Sequence, residues 1–346
     1  ATKVLARKAS DGVVATGVAY ASGGNTFIAN VTRDVILAAG SFQSPQLLEL
    51  SGIGNKALLS GLGIETLLDL PGVGENLQDH LFVATQFQLK PGTLTYDELR
   101  INATFAAEQS ALYNATGTGL LAGTDSALTF LPFSAFLSAA DTQAMLTAFD
   151  AFVASTSPSP LAAAQYAIHR SWLEDGNVPQ VEVIMWSKGV IDVAANESYI
   201  TVLGGGVHIN SSDGLAHPTI NPSFLTNDFD TATVLHALKL AQSTGCLDPL
   251  STIVVEQTAP GALNDTALLS YIRETVSTAS HPIGTAAMAR RELGGVVDSG
   301  LKVYGTTNLR VCDASVFPLS IGTHLQSTVY AVAEKLADVI KTEHSY

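Results

Sequence analysis

The sequence predicts a mixed fold, part α/β and part α+β, with one domain built from both chain ends and an antiparallel sheet with helices inserted between them. Three observations carry this expectation. A short apolar strand ending in small residues stands near the start, at residues 34–40. A second short apolar strand at 309–312 precedes a turn-rich stretch and an amphipathic helix at 326–341. The long middle mixes helical and strand patterns without the regular βαβ alternation of a parallel sheet. The expected zones are 1–80, 81–276 and 277–346.

In the first zone, residues 13–19 and 27–31 read as strands. They lead into Asp34-Val35-Ile36-Leu37-Ala38-Ala39-Gly40, whose small terminal residues permit close approach of another backbone or a flat ligand. Ser44-Pro45 is expected to open a helix, because proline is tolerated in a first turn, and Gly52-Ile53-Gly54 to end it. In the middle zone, helices are expected at 104–113, 142–154, 228–242 and 266–275, with a connector at 155–160. Residues 181–186 alternate as a strand should, and 198–203 and 207–210 flank Gly204-Gly205-Gly206 as a hairpin would. The closing helix places Val329, Val332, Ala333, Leu336 and Ile340 on one face.

Composition narrows the functional classes. With 47% hydrophobic and 14% charged residues over 346 positions, the chain is expected to bury extensive cores rather than remain disordered. No uncharged apolar run reaches bilayer-spanning length. The net charge of −14 and the lack of a Lys/Arg cluster disfavour nucleic acid and anionic membranes as partners. The two cysteines, Cys246 and Cys312, are expected to be thiols, with a disulfide between them the alternative, and no metal-ligand spacing occurs. Six sequons, at Asn30, Asn102, Asn114, Asn196, Asn210 and Asn264, exceed the roughly two that average usage would give, and predict a secreted glycoprotein. The opening Ala1-Thr2-Lys3-Val4 has no signal-peptide pattern, so a leader is expected to have been removed or the start to be internal.

Two histidines stand on loops suited to chemistry. His281 lies in Ser280-His281-Pro282-Ile283-Gly284-Thr285, where proline disfavours helix through the histidine. His324 lies just before the last helix, beside the positive end of its dipole. Such a pair can divide base and hydrogen-bonding roles near neutral pH, although most of eight histidines in a chain serve packing or the surface.

The stretch Val35-Ile36-Leu37-Ala38-Ala39-Gly40-Ser41-Phe42-Gln43-Ser44-Pro45-Gln46-Leu47-Leu48, with Ser51-Gly52-Ile53-Gly54, resembles a signature of the glucose–methanol–choline (GMC) oxidoreductase family. Leu70-Pro71-Gly72-Val73-Gly74-Glu75-Asn76-Leu77-Gln78-Asp79-His80, His281-Pro282-Ile283-Gly284-Thr285, Gly295-Val296-Val297-Asp298 and Leu309-Arg310-Val311-Cys312-Asp313-Ala314-Ser315 follow in the family's order. The chain is thus similar to the C-terminal portion of such enzymes, closest in style to fungal aryl-alcohol and glucose oxidase-like members. The resemblance implies FAD as cofactor, a small-molecule alcohol as substrate, His281 as base and His324 as the partner that orients the hydroxyl; these two roles could also be exchanged. It implies cofactor contacts at Ala39, Gly40, Asp313, Ala314, Thr323, Leu325 and Gln326. Ser280 stands where aryl-alcohol oxidases carry an aromatic residue, and is the candidate for the substrate pocket. Phe130, Phe133, Phe136 and Trp186 are further candidates.

The pair Gly72 and Gly74 superficially resembles a dinucleotide fingerprint but lacks the third glycine and the strand-turn-helix setting. The family's own G-x-G-x-x-G is absent, so the chain is expected to be a fragment that needs an N-terminal companion segment and binds FAD poorly alone. The resemblance also leaves open a GMC-fold lyase or cyclase without net oxidation, and a flavin-free, non-catalytic remnant.

Overall fold

The computed structural model describes residues 1–124, 126–189, 194–203 and 206–344, with side chains at 189–207 outside the described set. The chain opens with an antiparallel meander of β1 (Lys3–Ala9), β2 (Gly12–Ser22) and β3 (Asn25–Asn30). The alternating Val13, Ala15 and Gly17 of β2 face inward, while β3 is exposed throughout. Next come β4 (Val35–Leu37) and α1 (Gly40–Leu50).

Helix α1 corrects the sequence expectation, for it begins at Gly40 and takes Pro45 into its interior. A proline there removes the hydrogen bond to the carbonyl four residues back, which is that of Ser41. The Thr285 hydroxyl donates to that carbonyl instead, at 2.6 Å. The lost bond is replaced from a loop 244 residues away.

The middle of the chain builds an antiparallel sheet. Its strands are β5 (Gln78–Leu89), β6 (Ser126–Leu131), β7 (Val181–Gly189) and β8 (Ala194–Leu203), with β9 (Gly206–His208) and β10 (Thr219–Asn221) forming a separate pair. Between them run α2 (Ala103–Thr116), α3 (Ala139–Ser155) and α4 (Pro160–Glu174), followed by α5 (Asp228–Thr244). Edge strand β11 (Val254–Ala259) pairs with β5, and α6 (Asp265–Thr275) leads to β12 (Ser277–Thr278), which also pairs with β5. The sheet order is β11-β5-β8-β7-β6. The connection of the hairpin expected around Gly204-Gly205-Gly206 falls outside the described residues, and the described strands on either side of it pair elsewhere. Strand β8 is paired on both edges, with β5 and β7, so β9 has no edge to join and pairs with β10. Gly204 and Gly205 lie outside the described residues. Leu81, Val83, Phe133, Met145, Val183, Leu238 and Ile272 form this region's core.

The end of the chain returns to its beginning. Strand β13 (Leu309–Val311) runs parallel to β4, and α7 (Gln326–Glu343) closes the chain. A second core joins Val4, Val13, Val35 and Leu48 to Val296, Val303, Val311 and Leu336. Ala333 of α7, expected on its buried face, is exposed. Fully buried Arg310 binds Asp34 at 2.9 Å, the Gly300 carbonyl at 2.7 Å and Glu343, tying both chain ends together. Strand β5 links the two regions: its first residues pair with the 279–283 loop and its later ones carry the sheet. Cys246 and Cys312 are both free thiols, Cys246 exposed and Cys312 half-buried. No helix among the described residues is long and apolar enough to cross a membrane.

Candidate active site

His281 is held by its backbone before its ring does anything. Ala279 N–H donates to the His80 carbonyl at 2.8 Å, and Ile283 and Gln78 exchange two backbone hydrogen bonds, so both sides of His281 are laced to β5. Its own N–H donates to Asp79 Oδ1 at 3.0 Å, and the Thr278 hydroxyl donates to Asp79 Oδ2. Burial raises the Asp79 carboxyl above its ordinary range. Ser280, just before, sits at φ 62°, an uncommon left-handed position for a residue with a Cβ. Gly284, just after, packs so closely that a Cβ would lie 2.2 Å from the Asn76 carbonyl. This spot accepts only glycine.

The second histidine comes from the approach to α7. Gln78 anchors that segment, donating to the Pro318 carbonyl at 3.2 Å and accepting from Ser320 N–H at 3.0 Å. The structure brings His324 to His281 with ring centroids 4.9 Å apart at 64°. His324 Nε2 lies 3.0 Å from Glu182 Oε1, a carboxylate carried by β7.

Two participants were not singled out from the sequence. His80 Nδ1 lies 3.0 Å from His281 Nδ1, edge to face, and its Nε2 lies 2.9 Å from the Ser320 hydroxyl. Burial first, and then His281, lowers His80 to about 3; burial first, and then His324, lowers His281 to about 4. Both rings are therefore neutral near pH 7. Burial raises the Glu182 carboxyl, opposed by His324. Glu182 did leave a trace in the sequence: an acid between the buried Val181 and Val183. His80 left none beyond its place at the end of a motif.

Beside this cluster opens a cavity of about 480 Å³. His80, Glu182, Ser320, Ile321 and Gly322 line it, as do Phe130, Phe133, Phe149, Phe152 and Trp172. Of the sequence candidates, Phe130 and Phe133 reach it. Phe136 instead packs edge-on against Phe133, and Trp186 lies under Lys188. Ser280 is exposed and does not line this cavity, which the histidine pair reaches only through its contacts His80 and Glu182.

The residues expected at a cofactor fall in two groups. Ala39, Gly40, Asp313 and Ala314 meet at the carboxyl ends of the parallel strands β4 and β13. That is the end at which open parallel sheets receive ligands. Gly40 adopts φ 78° with open space where a Cβ would stand. The Asp313 carboxylate is fully engaged within the protein, accepting from Gly40 N–H at 2.9 Å, from Ser44 and from both N–H and hydroxyl of Ser315. It shapes the Gly40 turn rather than offering a free acceptor. Thr323, Leu325 and Gln326 arrive with His324; Thr323 and Gln326 are exposed, whereas the Leu325 side chain is buried in the core shared by the chain ends. Gly72 and Gly74 form no phosphate cradle, since a Cβ on Gly72 would strike the Gly294 carbonyl and Gly74 N–H is bonded to the Thr285 carbonyl.

Two family models, both described as GMC oxidoreductase, match residues 1–82 and 204–333, together more than half of the chain. A dehydrogenase of Armillaria gallica is 38% identical over 95% of this chain and 54% of its own length. An FAD-dependent oxidoreductase of Chaetomium thermophilum superposes with a TM-score of 0.89 at 30% identity, over 99% of this chain and 61% of that one. A fungal aryl-alcohol oxidase gives 0.81 at 30% identity, over 94% of this chain and 57% of that one. The chain spans about half the length of the curated relatives it matches.

Proposed function

Because the chain belongs to the GMC oxidoreductase family, we propose that it oxidises a CH–OH donor with FAD, using His281 as base and His324 to orient the hydroxyl. The observation that carries this is the placement of His281, fixed by the β5 backbone with its ring 4.9 Å from that of His324.

Two neutral imidazoles meeting through Nδ1 atoms need one donor and one acceptor. His80 makes a backbone hydrogen bond with Ile321 that favours a proton on its ring, and its Nε2 faces Ser320. With that proton on Nε2, His80 Nδ1 accepts from His281 Nδ1–H, which leaves the lone pair of His281 on Nε2. There it takes the alcohol proton as the carbinol carbon is oxidised. His324, steadied by Glu182, directs the substrate oxygen toward that atom. When bound, FAD supplies the hydride acceptor.

The fit to FAD rests on two helix starts. Helix α7 begins at Leu325 with no side-chain cap, and α1 begins after Ala39 with its first N–H given to the Asp313 carboxylate. Such ends favour anions through their N–H groups. Ala39, Gly40, Ala314 and the backbone from Thr323 to Gln326 would hold the cofactor, and Asp313 keeps the Gly40 turn in place. Residues 1–80 and 277–346 would serve the cofactor, and 81–276 the substrate.

Adding alcohols to the FAD-loaded protein without oxygen tests the reading. Bleaching of the flavin absorbance supports it; bound flavin that no primary alcohol reduces contradicts it. A secreted, glycosylated state is supported by Asn30, Asn102, Asn114, Asn210 and Asn264, all exposed; the side chain of Asn196 lies outside the described ones. Loss of mass on endoglycosidase treatment checks it.

A further inference from the structure

We propose that the 480 Å³ cavity recognises its alcohol through Asp230, and takes flat, aromatic alcohols that carry a second hydroxyl or amine hydrogen-bond donor besides the carbinol. The placement of the carbinol end rests on the oxidation reading above; the recognition of the donor does not.

The cavity has largely apolar walls with a few polar groups among them. His80 and Glu182 line it and contact His281 and His324 respectively, and Ser320 lines it beside His80. Along the walls stand Phe133, Phe149 and Trp172, with Phe149 and Phe229 packed edge to face at 5.2 Å. Such walls suit a flat ring. Asp230 is 4% exposed and lines the cavity from the first turn of α5. Burial raises its carboxyl, opposed by the Asn227 side chain, and its charge in turn acts on Tyr166.

An acid in a first helical turn usually sits in water, near the positive end of the helix dipole. Here the capping is done by Asn227, whose Oδ1 accepts from Asp230 N–H at 2.8 Å. The Asp230 carboxyl receives a side-chain hydrogen bond from Asn227 Nδ2, and among the described residues it has no cationic partner. Its burial raises it to about 7. A carboxyl raised in this way weakens folding increasingly as pH rises from its unfolded value to its folded one. A buried acid that opposes stability and faces an apolar cavity is placed for a ligand rather than for the fold. A ligand hydroxyl or amine would satisfy its remaining acceptor capacity; a methyl group of the same size would leave it unpaired.

Calorimetric titration with 4-hydroxybenzyl and 4-methylbenzyl alcohol tests this without flavin or turnover. The wild-type protein is expected to bind the hydroxyl compound about tenfold more tightly, in keeping with a hydrogen bond to a charged group. Asp230→Leu, which removes the acceptor, is expected to abolish or reverse that preference. Asp230→Asn is expected to raise the melting temperature, more at pH 8 than at pH 5, with Tyr166 and His169 of α4 and Glu182 of β7, the other titratable groups around it, unchanged. Equal binding of both alcohols to wild type, or a preference that survives in Asp230→Leu, would overturn the proposal. Failed oxidation with intact discrimination would refute the proposed function alone.

Discussion

The two regions of the molecule begin their long helices differently. In the middle region, α2, α3, α4, α5 and α6 each start on a side chain that accepts a backbone N–H: Asn102, Ser138, Ser159, Asn227 and Asn264. In the region built from the chain ends, the long helices α1 and α7 have no cap from the preceding side chain, while among short helices the order reverses, with Lys56–Gly61 capped by Asn55 and Glu98–Ile101 uncapped. A cap satisfies a helix end locally. Helix starts of this kind favour negative charge, and α1, at the carboxyl end of β4, already gives its first N–H to the Asp313 carboxylate. The middle region is locally complete and keeps its unsatisfied chemistry inside a cavity.

That contrast can be broken by substitution, starting with the largest effect. Arg310→Ala strands Asp34 and Glu343 and is expected to destabilise by about 3–5 kcal/mol, as loss of one member of a buried ion pair does. Hydrogen exchange should show the loss in β4 and β13 and leave β7 protected; uniform loss would mean the regions unfold as one.

A smaller effect joins the regions. His208 contacts Glu49, which is fully buried in α1, at 2.8 Å and Glu75 at 3.3 Å. Those hydrogen bonds, Glu49 first, raise it to about 10. The raised value means its stabilisation is fully present below the unfolded value near 6.5 and fades as pH rises through about 10. His208→Gln is expected to cost about 1.5–3 kcal/mol at pH 6, with the difference from wild type in urea midpoint shrinking toward pH 10. A pH-independent difference would assign His208 to packing. The smallest effect sharpens the contrast: Asn264→Ala removes one cap, should cost about 1 kcal/mol, and should leave flavin content unchanged.

Local chemistry was legible in the sequence; partnership was not. The helix at 228–242 is found at Asp228–Thr244, and that at 266–275 at Asp265–Thr275, because each shows a cap and an apolar period. Helix α4 was missed although Ser159-Pro160 is a sound start signal, because the surrounding serines and prolines read as a connector. The start of α1 depends on Thr285, and the edges of β8 on strands before it, so neither could be read locally. At the site, His281 and His324 stood out by loop context. Their contacts His80 and Glu182 lie 201 and 142 residues away in sequence, and only the fold joins them.

The central claim is that His281 takes the alcohol proton. The most direct measurement is the rate of anaerobic flavin reduction by a primary alcohol in FAD-loaded wild type and His281→Ala, with flavin content matched. The account expects a fall of about 10²- to 10⁴-fold in the variant, the range for loss of a general base. It also expects a wild-type rate that is level near neutrality and declines as pH drops through about 4, where His281 becomes protonated. Reduction of His281→Ala at the wild-type rate would contradict it.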